Sequence, residues 1–231
     1  MKEKYILAHD TGTSSNKAVL VRLDTNIVGH TTAEYYVHYP EKGCAEQSPS
    51  DWWKAVVATT RKLLQSTKIK PSDIAGIAFS TQMAGTLPMN EEGEPLMSCM
   101  IWLDTRAAEE AEKICKGLIK VAGYNVLTLL RFLRITGGAP GHAGKDAISK
   151  ILWIKKNEPD IYSKTFKFLD CKDYVLYKCT RNFVTSRDCA NISWMMDTRK
   201  ERLCWSESIL KKYGIDKEKL PEIKKSTELA G

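Results

Sequence analysis

Residues 5–23, YILAHDTGTSSNKAVLVRL, decide the start of the fold. Two apolar runs, at 5–8 and 18–23, flank a short polar segment, DTGTSS at 10–15. An apolar run, a small polar turn and a second apolar run are typical of a β-hairpin whose first strand is buried. The sequence therefore predicts that the chain begins with an antiparallel pair of strands.

The tip of this hairpin carries groups that suit a phosphate ligand. A glycine lets the backbone approach a ligand closely, and hydroxyls and amides beside it can line a nest of donors. A carboxylate next to phosphates is favourable when Mg²⁺ or its bound water lies between them. We therefore predict a nucleotide-phosphate loop with Asp10 as the metal contact, formed by Asp10, Thr11, Gly12, Thr13, Ser14 and Lys17. An ordinary polar hairpin turn is the alternative.

The next elements extend the hairpin into a mixed sheet. Residues 27–39 are predicted to form a third antiparallel strand, and a helix follows with Ser48 as N-cap, Pro49 in its first turn and Asp51 closing a capping box. Its tryptophans are expected in the core. Residues 74–80 then form a strand, which after a crossover helix is expected to lie parallel to the first strand. Its carboxyl end, TQMAG at 81–85, would reach the same sheet edge as Asp10, where open α/β sheets bind ligands.

The remaining chain predicts shorter elements. A hairpin is expected around residues 90–94, and a helix after residue 106 with Ala107, Ala111, Ile114 and Leu118 facing inward. Asp104 is either the N-cap of that helix or a ligand contact. Further helices are predicted at 121–135, 147–156, 172–178, 206–213 and 217–223, strands at 166–169 and 182–185, and a hairpin between 187 and 196.

Composition narrows the class of protein. The 231 residues include 43% apolar residues and six tryptophans, enough for a core, and the net charge is +7. Basic and acidic residues are interleaved, which favours a solvated surface over a nucleic-acid interface. No stretch approaches the ~18 apolar residues of a membrane helix, and residues 1–10 do not read as a signal peptide. Seven cysteines without a C-x-x-C motif predict reduced, mostly buried thiols in a cytoplasmic protein.

Two other motif matches are weaker. APGHAGKD at 139–146 is nearly a P-loop, but Ala139 replaces its first glycine and Asp146 replaces its magnesium-binding hydroxyl. DTG at 10–12 also spells the triplet of aspartic proteases, whose chemistry needs two carboxylates sharing a proton. There is no second DTG, so a protease would have to dimerise about Asp10.

Taken together, the motifs resemble those of the FGGY carbohydrate kinases, most of all the xylulokinase branch. DTGTSS at 10–15 with Lys17, GCAEQSP at 43–49, QMAG at 82–85 and IWLDTR at 101–106 occur in the family's order and spacing. KILW at 150–153, KDY at 172–174 and SRD at 186–188 fit later landmarks. The resemblance spans essentially the whole chain and implies a ribonuclease-H-like, actin-like α/β fold: a mixed sheet with an antiparallel meander of the first three strands, parallel strands and flanking helices.

The resemblance also implies the partners of the site. ATP and Mg²⁺ would be the cofactors, with Asp10 on the metal or its water. The sugar pocket would be lined or braced by Gln82, Met83, Ala84, Trp102, Asp104 and Arg106. This assignment requires the tip holding Asp10 and the bend holding Met83 and Trp102 to share one cleft.

Three departures from the family pattern bear on function. Ala84 stands where the xylulokinase branch has histidine, which removes a polar contact to the sugar and puts xylulose in doubt. Met83 and Ala84 replace the Arg-Glu pair of glycerol kinases, so glycerol is not expected. His9 replaces an apolar residue, and alternation along the strand turns it away from Asp10, as a structural histidine.

Length is the largest departure, since family members are about twice as long. We expect residues 1–231 to be a single N-terminal domain, with the catalytic base, an aspartate, and the C-terminal ATPase domain beyond Gly231. The isolated chain is then expected to have no kinase turnover, with its own C-terminal domain and a small sugar as partners. A non-catalytic sugar- or phosphate-binding module remains an alternative, and a homodimer is left open.

Overall fold

The computed structural model describes residues 3–231; Met1 and Lys2, which begin the N-terminal segment, lie outside the described residues. The strands are β1 Tyr5–Thr11, β2 Ser15–Arg22, β3 Ile27–Glu34, β4 Glu46–Gln47, β5 Ile74–Thr81, β6 Leu87–Met89, β7 Cys99–Met100, β8 Lys120–Val121, β9 Tyr124–Asn125, β10 Lys167–Leu169, β11 Val184–Ser186, β12 Met196–Asp197, β13 Cys204–Trp205 and β14 Glu222–Lys224. The helices are α1 Pro49–Thr67, α2 Ala108–Cys115, α3 Val126–Thr136, α4 Ala147–Asn157, α5 Pro159–Lys164, α6 Cys171–Thr180, α7 Arg187–Ile192 and α8 Glu207–Tyr213.

The described chain divides into two compact units. Residues 3–37 and 47–82 form one, here named the sheet unit, and residues 38–46 and 83–231 form the other, the helical unit. Within residues 3–231, none of the helices combines the length and the apolar character that a membrane crossing requires.

The sheet unit is built on four strands in the order β3-β2-β1-β5. β1 pairs antiparallel with β2 and parallel with β5, and β2 pairs antiparallel with β3. This confirms the predicted meander and the parallel strand after the crossover helix. Along β1 the residues Tyr5, Leu7, His9 and Thr11 are buried while Asp10 is exposed, because side chains alternate between the two faces of a strand.

Helix α1 covers this sheet, and Leu63 joins the core formed with Leu7 and Leu20. Pro49 opens the helix as predicted, but the predicted capping box is wrong. Ser48 is the N-cap residue and its side chain makes no capping bond; its hydroxyl instead lies 2.9 Å from that of Ser50. Trp52 is fully buried, as expected for a core residue.

The helical unit surrounds one larger apolar core to which most of its helices contribute. Its members include Phe132 from α3, Ile148, Ile151 and Ile154 from α4, and Ile209 from α8. Short strand pairs brace the surface of this unit, with β6 antiparallel to β10, β12 antiparallel to β13, and β11 parallel to β14. The helices predicted at 147–156 and 206–213 are confirmed by α4 and α8, each to within one residue at one end.

Four predictions for this unit are wrong in part. Leu118 is fully exposed, because α2 ends at Cys115 and the backbone turns extended at Lys116. The helix predicted from residue 121 begins only at Val126, since residues 120–125 form a tight hairpin. Residues 187–192 are helical where a hairpin was expected, and residues 217–223 contain a 3-10 turn followed by β14, which pairs with β11.

The cysteines are free thiols in this structure. Cys99, Cys115 and Cys171 are buried, whereas Cys179 and Cys204 are exposed. The prediction of mostly buried thiols is therefore too broad.

Candidate functional site

The turn between β1 and β2 is held in place by hydrogen bonds that its carbonyl groups accept from Tyr35 and Gln47. The Tyr35 hydroxyl donates to the Gly12 carbonyl over 2.6 Å, and the Tyr35 N–H donates to the Ser14 carbonyl over 3.0 Å. The side-chain amide of Gln47 donates to the Thr13 carbonyl over 2.7 Å. Because these acceptors are already paired with donors of the sheet unit, the turn presents less uncompensated negative charge to a phosphate.

Glycine at position 12 is not required by packing within the sheet unit. A Cβ built on Gly12 would lie 3.5 Å from the Ser15 carbonyl oxygen, an ordinary contact, and apart from residues 11–13 no other atom of the described chain lies closer. Ser14 beside it is exposed. The turn therefore has room for a ligand at the position where the sequence predicts phosphate.

Asp10 and Lys17 lie on the solvent side of the hairpin, directly opposite each other on β1 and β2. The Lys17 ammonium is 3.6 Å from an Asp10 carboxylate oxygen, and both side chains are more than half exposed. Mg²⁺ is typically held by one or two carboxylates together with substrate phosphates and water. One exposed carboxylate beside the turn fits that donor set. Within residues 3–231 no group of three or more His, Cys, Asp or Glu side chains could hold a metal by itself.

The Thr11 hydroxyl faces the interior, which corrects its inclusion among the hydroxyls at the tip. It donates to Asn16 Oδ1 over 2.9 Å, and Asn16 Nδ2 donates to the Thr59 hydroxyl over 2.8 Å. Thr11 is fully buried because it shares the inward face of β1 with His9. Thr11 therefore contributes its backbone to the loop, while its side chain anchors the loop from behind.

His9 belongs to the same buried network. Asn16 Nδ2 lies 3.1 Å from His9 Nδ1, and the Thr60 hydroxyl lies 3.2 Å from His9 Nε2. The amide nitrogen of Asn16 can only donate, so His9 Nδ1 accepts and Nε2 carries the proton. Burial lowers the pKa of His9 to about 4, so the ring is neutral near pH 7. The interpretation of His9 as a structural histidine agrees with these contacts.

The carboxyl end of β5 lies beside the phosphate turn, as the topology predicted. Thr81 is the register partner of Thr11, and the Gln82 N–H donates to the Thr11 carbonyl over 2.8 Å. The Gln82 side-chain amide donates to Gln47 Oε1 over 2.6 Å, while its own buried Oε1 has no hydrogen-bond partner in residues 3–231. A buried acceptor without a donor is uncommon, so Gln82 is a polar residue at the end of β5 whose hydrogen-bonding capacity the described residues leave partly unused.

Gln47 is a site residue that sequence reasoning missed. Its side chain contacts the Thr13 carbonyl, Gln82 and the Trp52 indole, whose Nε1 donates to Gln47 Oε1 over 3.1 Å. It thus connects the phosphate turn to the end of β5. The motif GCAEQSP contains this residue, but its contact with Gln82 is 35 positions away in sequence and no local pattern shows it.

In the helical unit, Ala84 and Gly85 form a bend fixed by a buried lysine. Ala84 has φ +56°, a left-handed conformation that costs a non-glycine residue about 1 kcal/mol. The Lys150 ammonium donates to the carbonyls of Ala84 and Ile101 over 2.7 Å each and to that of Met100 over 3.3 Å. Burial lowers the pKa of Lys150 to about 8. Lys150 therefore joins the bend to the strand that precedes Trp102.

Asp170 holds the same bend from the other direction. Its Oδ1 accepts from the Gly85 N–H over 2.9 Å and from the Cys171 N–H over 2.6 Å. Asp170 is also the N-cap of α6, in a capping box with Asp173. Burial raises the pKa of Asp170 to about 6 and that of Asp173 to about 8. Sequence reasoning placed a landmark at 172–174 but did not find Asp170, whose partner Gly85 is 85 residues away.

Asp104 and Arg106 brace the helical unit. Asp104 is fully buried, its Oδ2 accepts from the Ala45 N–H over 2.8 Å, and Arg106 Nε donates to both of its oxygens. Arg106 also pairs with Glu46 over 2.5 Å and lies 5.1 Å from the centre of the Trp153 ring. Asp104 is not the N-cap of α2, which is Ala107. Its burial leaves no surface for a sugar, so it positions Arg106 and the 43–46 loop.

Met83 and Trp102 are the exposed members of the predicted sugar set. Met83 is 59% exposed and Trp102 is 39% exposed. The Lys145 ammonium lies 5.7 Å from the centre of the Trp102 ring. The structure thus separates residues that can touch a ligand from the residues behind them.

The residues predicted for phosphate, together with Gln82, belong to the sheet unit, and Met83, Ala84, Trp102, Asp104 and Arg106 belong to the helical unit. That the two sets share a cleft stays a prediction.

Comparison with known proteins identifies the family. The model of the FGGY family of carbohydrate kinases, N-terminal domain, matches residues 5–231. The chain belongs to the FGGY family. The xylulose kinase of Staphylococcus xylosus is 31% identical to this FGGY domain over 227 residues, which are 98% of this chain and 44% of that protein. The glycerol kinase of Thermococcus gammatolerans is 30% identical over 233 residues, covering 99% of this chain and 44% of that protein.

Solved structures give the same result for the fold. The crystal structure of gluconate kinase from Lactobacillus acidophilus has a TM-score of 0.85 and 26% identity, covering 100% of this chain and 44% of that one. This confirms the predicted actin-like α/β fold, and the xylulose kinase relatives confirm the predicted family resemblance. The FGGY chain spans about 44% of the length of these three relatives. Similar identity to xylulose and glycerol kinases means that identity alone does not select a substrate.

Proposed function

We propose that this chain is the N-terminal, sugar-binding domain of an ATP- and Mg²⁺-dependent kinase that phosphorylates a hydroxyl of a small ketose or polyol. The match of the FGGY N-terminal model to residues 5–231 carries the proposal. The kinases named for xylulose, glycerol and gluconate support the same reaction class on different sugars. In this proposal residues 1–231 act as one domain, and the protein works in the cytoplasm.

The phosphate side of the proposed site is the hairpin turn. Mg²⁺, when bound with ATP, neutralises charge on the transferred phosphoryl group. Asp10 holds the metal or its water, and Lys17 adds a positive charge beside the phosphates. Residues 11–14 supply the backbone of the loop, with Ser14 offering an exposed hydroxyl. The carbonyls of Gly12, Thr13 and Ser14 support this assignment. Each already accepts a hydrogen bond, which offsets its partial negative charge and so reduces its repulsion of a phosphate.

The sugar side combines exposed contacts with a rigid support. Trp102 and Met83 offer an exposed apolar surface for the sugar, and Gln82, which precedes Met83, is fixed by its hydrogen bonds to Gln47 and to the Thr11 carbonyl. Asp104, Arg106 and the Ala84 bend hold these groups in place. Phosphoryl transfer depends chiefly on positioning and on charge stabilisation, so the contribution of this domain is to orient one hydroxyl toward the phosphate.

The base that removes the proton from that hydroxyl is proposed to lie in the remainder of a longer protein, in a C-terminal ATPase domain. The relatives support this, since the chain covers 44% of their length. The non-catalytic binding module remains an outcome of the test, whereas no observation favours a protease.

The proposal is tested by a sugar panel. NMR titration of the 231-residue chain with xylulose, ribulose, gluconate and glycerol should show binding by one of them, with shifts at Trp102. Trp102→Ala should abolish binding of that ligand, measured by isothermal titration, whereas Tyr36→Ala, which removes an exposed aromatic residue of the sheet unit, should not. ATP consumption should be absent for the chain alone and present for the longer protein. Turnover by the chain alone would refute the proposed position of the base, and a longer protein without turnover on the whole panel would favour the binding module.

A further inference from the structure

A groove of about 410 Å³ lies on the helical unit, between α3 and the segment that follows β12. We name it the arginine groove after Arg131, Arg134, Arg199 and Arg202, which line it together with Leu127 and Leu130. The volume falls within the ~300–1,000 Å³ typical of small-molecule sites. Its residues are all separate from the proposed kinase site.

One wall of the groove is a single face of α3. Leu127, Leu130, Arg131 and Arg134 are exposed and recur at the three- and four-residue spacing that aligns side chains along a helix. The opposite face carries Phe132, which is buried in the core of the helical unit, and Ile135 lies between the two faces, lining the groove while it joins the same core. Packing therefore fixes the helix, and its arginines are presented to the groove on a rigid support.

The groove concentrates positive charge that the described residues do not neutralise. Arg199 and Arg202 share Asp197, at 2.6 Å and 3.7 Å, and Glu201 also acts on Arg199. Arg131 and Arg134 form no ion pair within residues 3–231. Lys212 is a fifth cation near the groove: burial lowers its pKa, and the positive charge of Arg131 lowers it further.

The geometry points to a binding site for a small, multiply charged anion such as a phosphate ester. Guanidinium groups bind phosphate oxygens in pairs through parallel N–H donors, more strongly than neutral hydrogen bonds. The Arg131 and Arg134 guanidiniums, which form no ion pair with the described residues, supply that contact, and the pair held by Asp197 supplies an oriented second wall. Leu127 and Leu130 leave an apolar rim for the uncharged part of the ligand. A concavity of this size suits a small ligand better than the extended surface of an acidic protein.

Binding of pyrophosphate to the 231-residue chain tests this site, with EDTA present so that any metal-dependent binding at Asp10 is suppressed. Isothermal titration should give one saturable site with a dissociation constant below about 1 mM. NMR shifts should map to α3 and to residues 197–208. Arg131→Gln with Arg134→Gln should weaken binding at least about tenfold. The control pair Arg61→Gln with Lys62→Gln removes the same charge from the exposed face of α1 and should change affinity less than about twofold.

Equal weakening by both pairs would show non-specific charge attraction and overturn the site, as would the absence of saturable binding. Tighter binding of a polyglutamate peptide than of pyrophosphate, with the same dependence on Arg131 and Arg134, would also overturn it, because the groove would then be a protein-docking surface. If the double variant fails to fold, Arg134→Gln alone and the shift map of the unmodified chain decide. The two proposals can fail independently. Kinase activity of the longer protein without pyrophosphate binding at the arginine groove would overturn only the groove, and binding at the groove without kinase activity would overturn only the proposed function.

Discussion

Gly85→Ala tests the buried contact that fixes the bend at residues 84–85. A Cβ at this position would lie 2.6 Å from Asp170 Oδ1 and 3.2 Å from the Cys99 sulfur. The carboxylate is not free to move, since the same oxygen accepts from the N–H groups of Gly85 and Cys171. We therefore expect the variant to lose at least one charge-assisted hydrogen bond, worth about 2 kcal/mol, and to strain the packing by about 1 kcal/mol more.

The expected loss of about 3 kcal/mol is measurable by urea unfolding. With a slope of about 2 kcal/mol per molar, the midpoint should fall by about 1.5 M. Gly12→Ala is the matched control, because the atom of the described chain that its Cβ would meet outside residues 11–13 is the Ser15 carbonyl oxygen, at an ordinary 3.5 Å. Its cost should stay below about 1 kcal/mol.

A double-mutant cycle with Asp170→Ala separates the clash from other effects of the methyl group. Removing the carboxylate removes the atom that the new methyl group meets, so the combined cost should be smaller than the sum of the two single costs by about 1–2 kcal/mol. If Gly85→Ala costs no more than Gly12→Ala, or if the costs of Gly85→Ala and Asp170→Ala simply add, the contact between Gly85 and Asp170 does not fix the bend.

Three further predictions follow from the buried and exposed charges. Burial lowers the pKa of His9 from 6.5 to about 4, so between these pH values the unfolded chain binds more protons than the folded chain. The free energy of unfolding should therefore fall by up to about 3 kcal/mol as the pH drops from 6.5 to 4. In urea unfolding, His9→Gln should lose this part of the pH dependence. Burial lowers the pKa of Lys150 from 10.5 to about 8, so its contribution to stability should rise with pH between 8 and 10.5. Lys150→Met should remove that rise and destabilise the fold by about 2 kcal/mol at pH 7, measured by thermal unfolding. An unchanged Tm would show that the three carbonyls do not need the lysine ammonium as a donor. Asp10→Ala should abolish turnover of the longer kinase while changing stability by less than about 1 kcal/mol, since an exposed ion pair contributes little; loss of the fold in circular dichroism would make Asp10 structural.

The sequence by itself determined the sheet and the family. Alternation along residues 5–11 placed His9 inside and Asp10 outside, because a strand has a period of two. The parallel position of β5 followed from the intervening helix, and the order of short motifs identified the FGGY resemblance. These signals lie in short stretches of sequence, so they can be recognised without knowing the tertiary contacts.

Tertiary structure decided which residues support the predicted site. Lys150 reaches carbonyls 49 to 66 positions away, and Asp170 reaches Gly85 across 85 positions; neither pairing leaves a periodic trace in sequence. The strand at residues 222–224 replaced a predicted helix for the same reason, because its pairing with β11 outweighs the weak local preference of a short segment. Burial of a polar group is favourable only when a partner satisfies it, and those partners come from the folded chain rather than from neighbours in sequence.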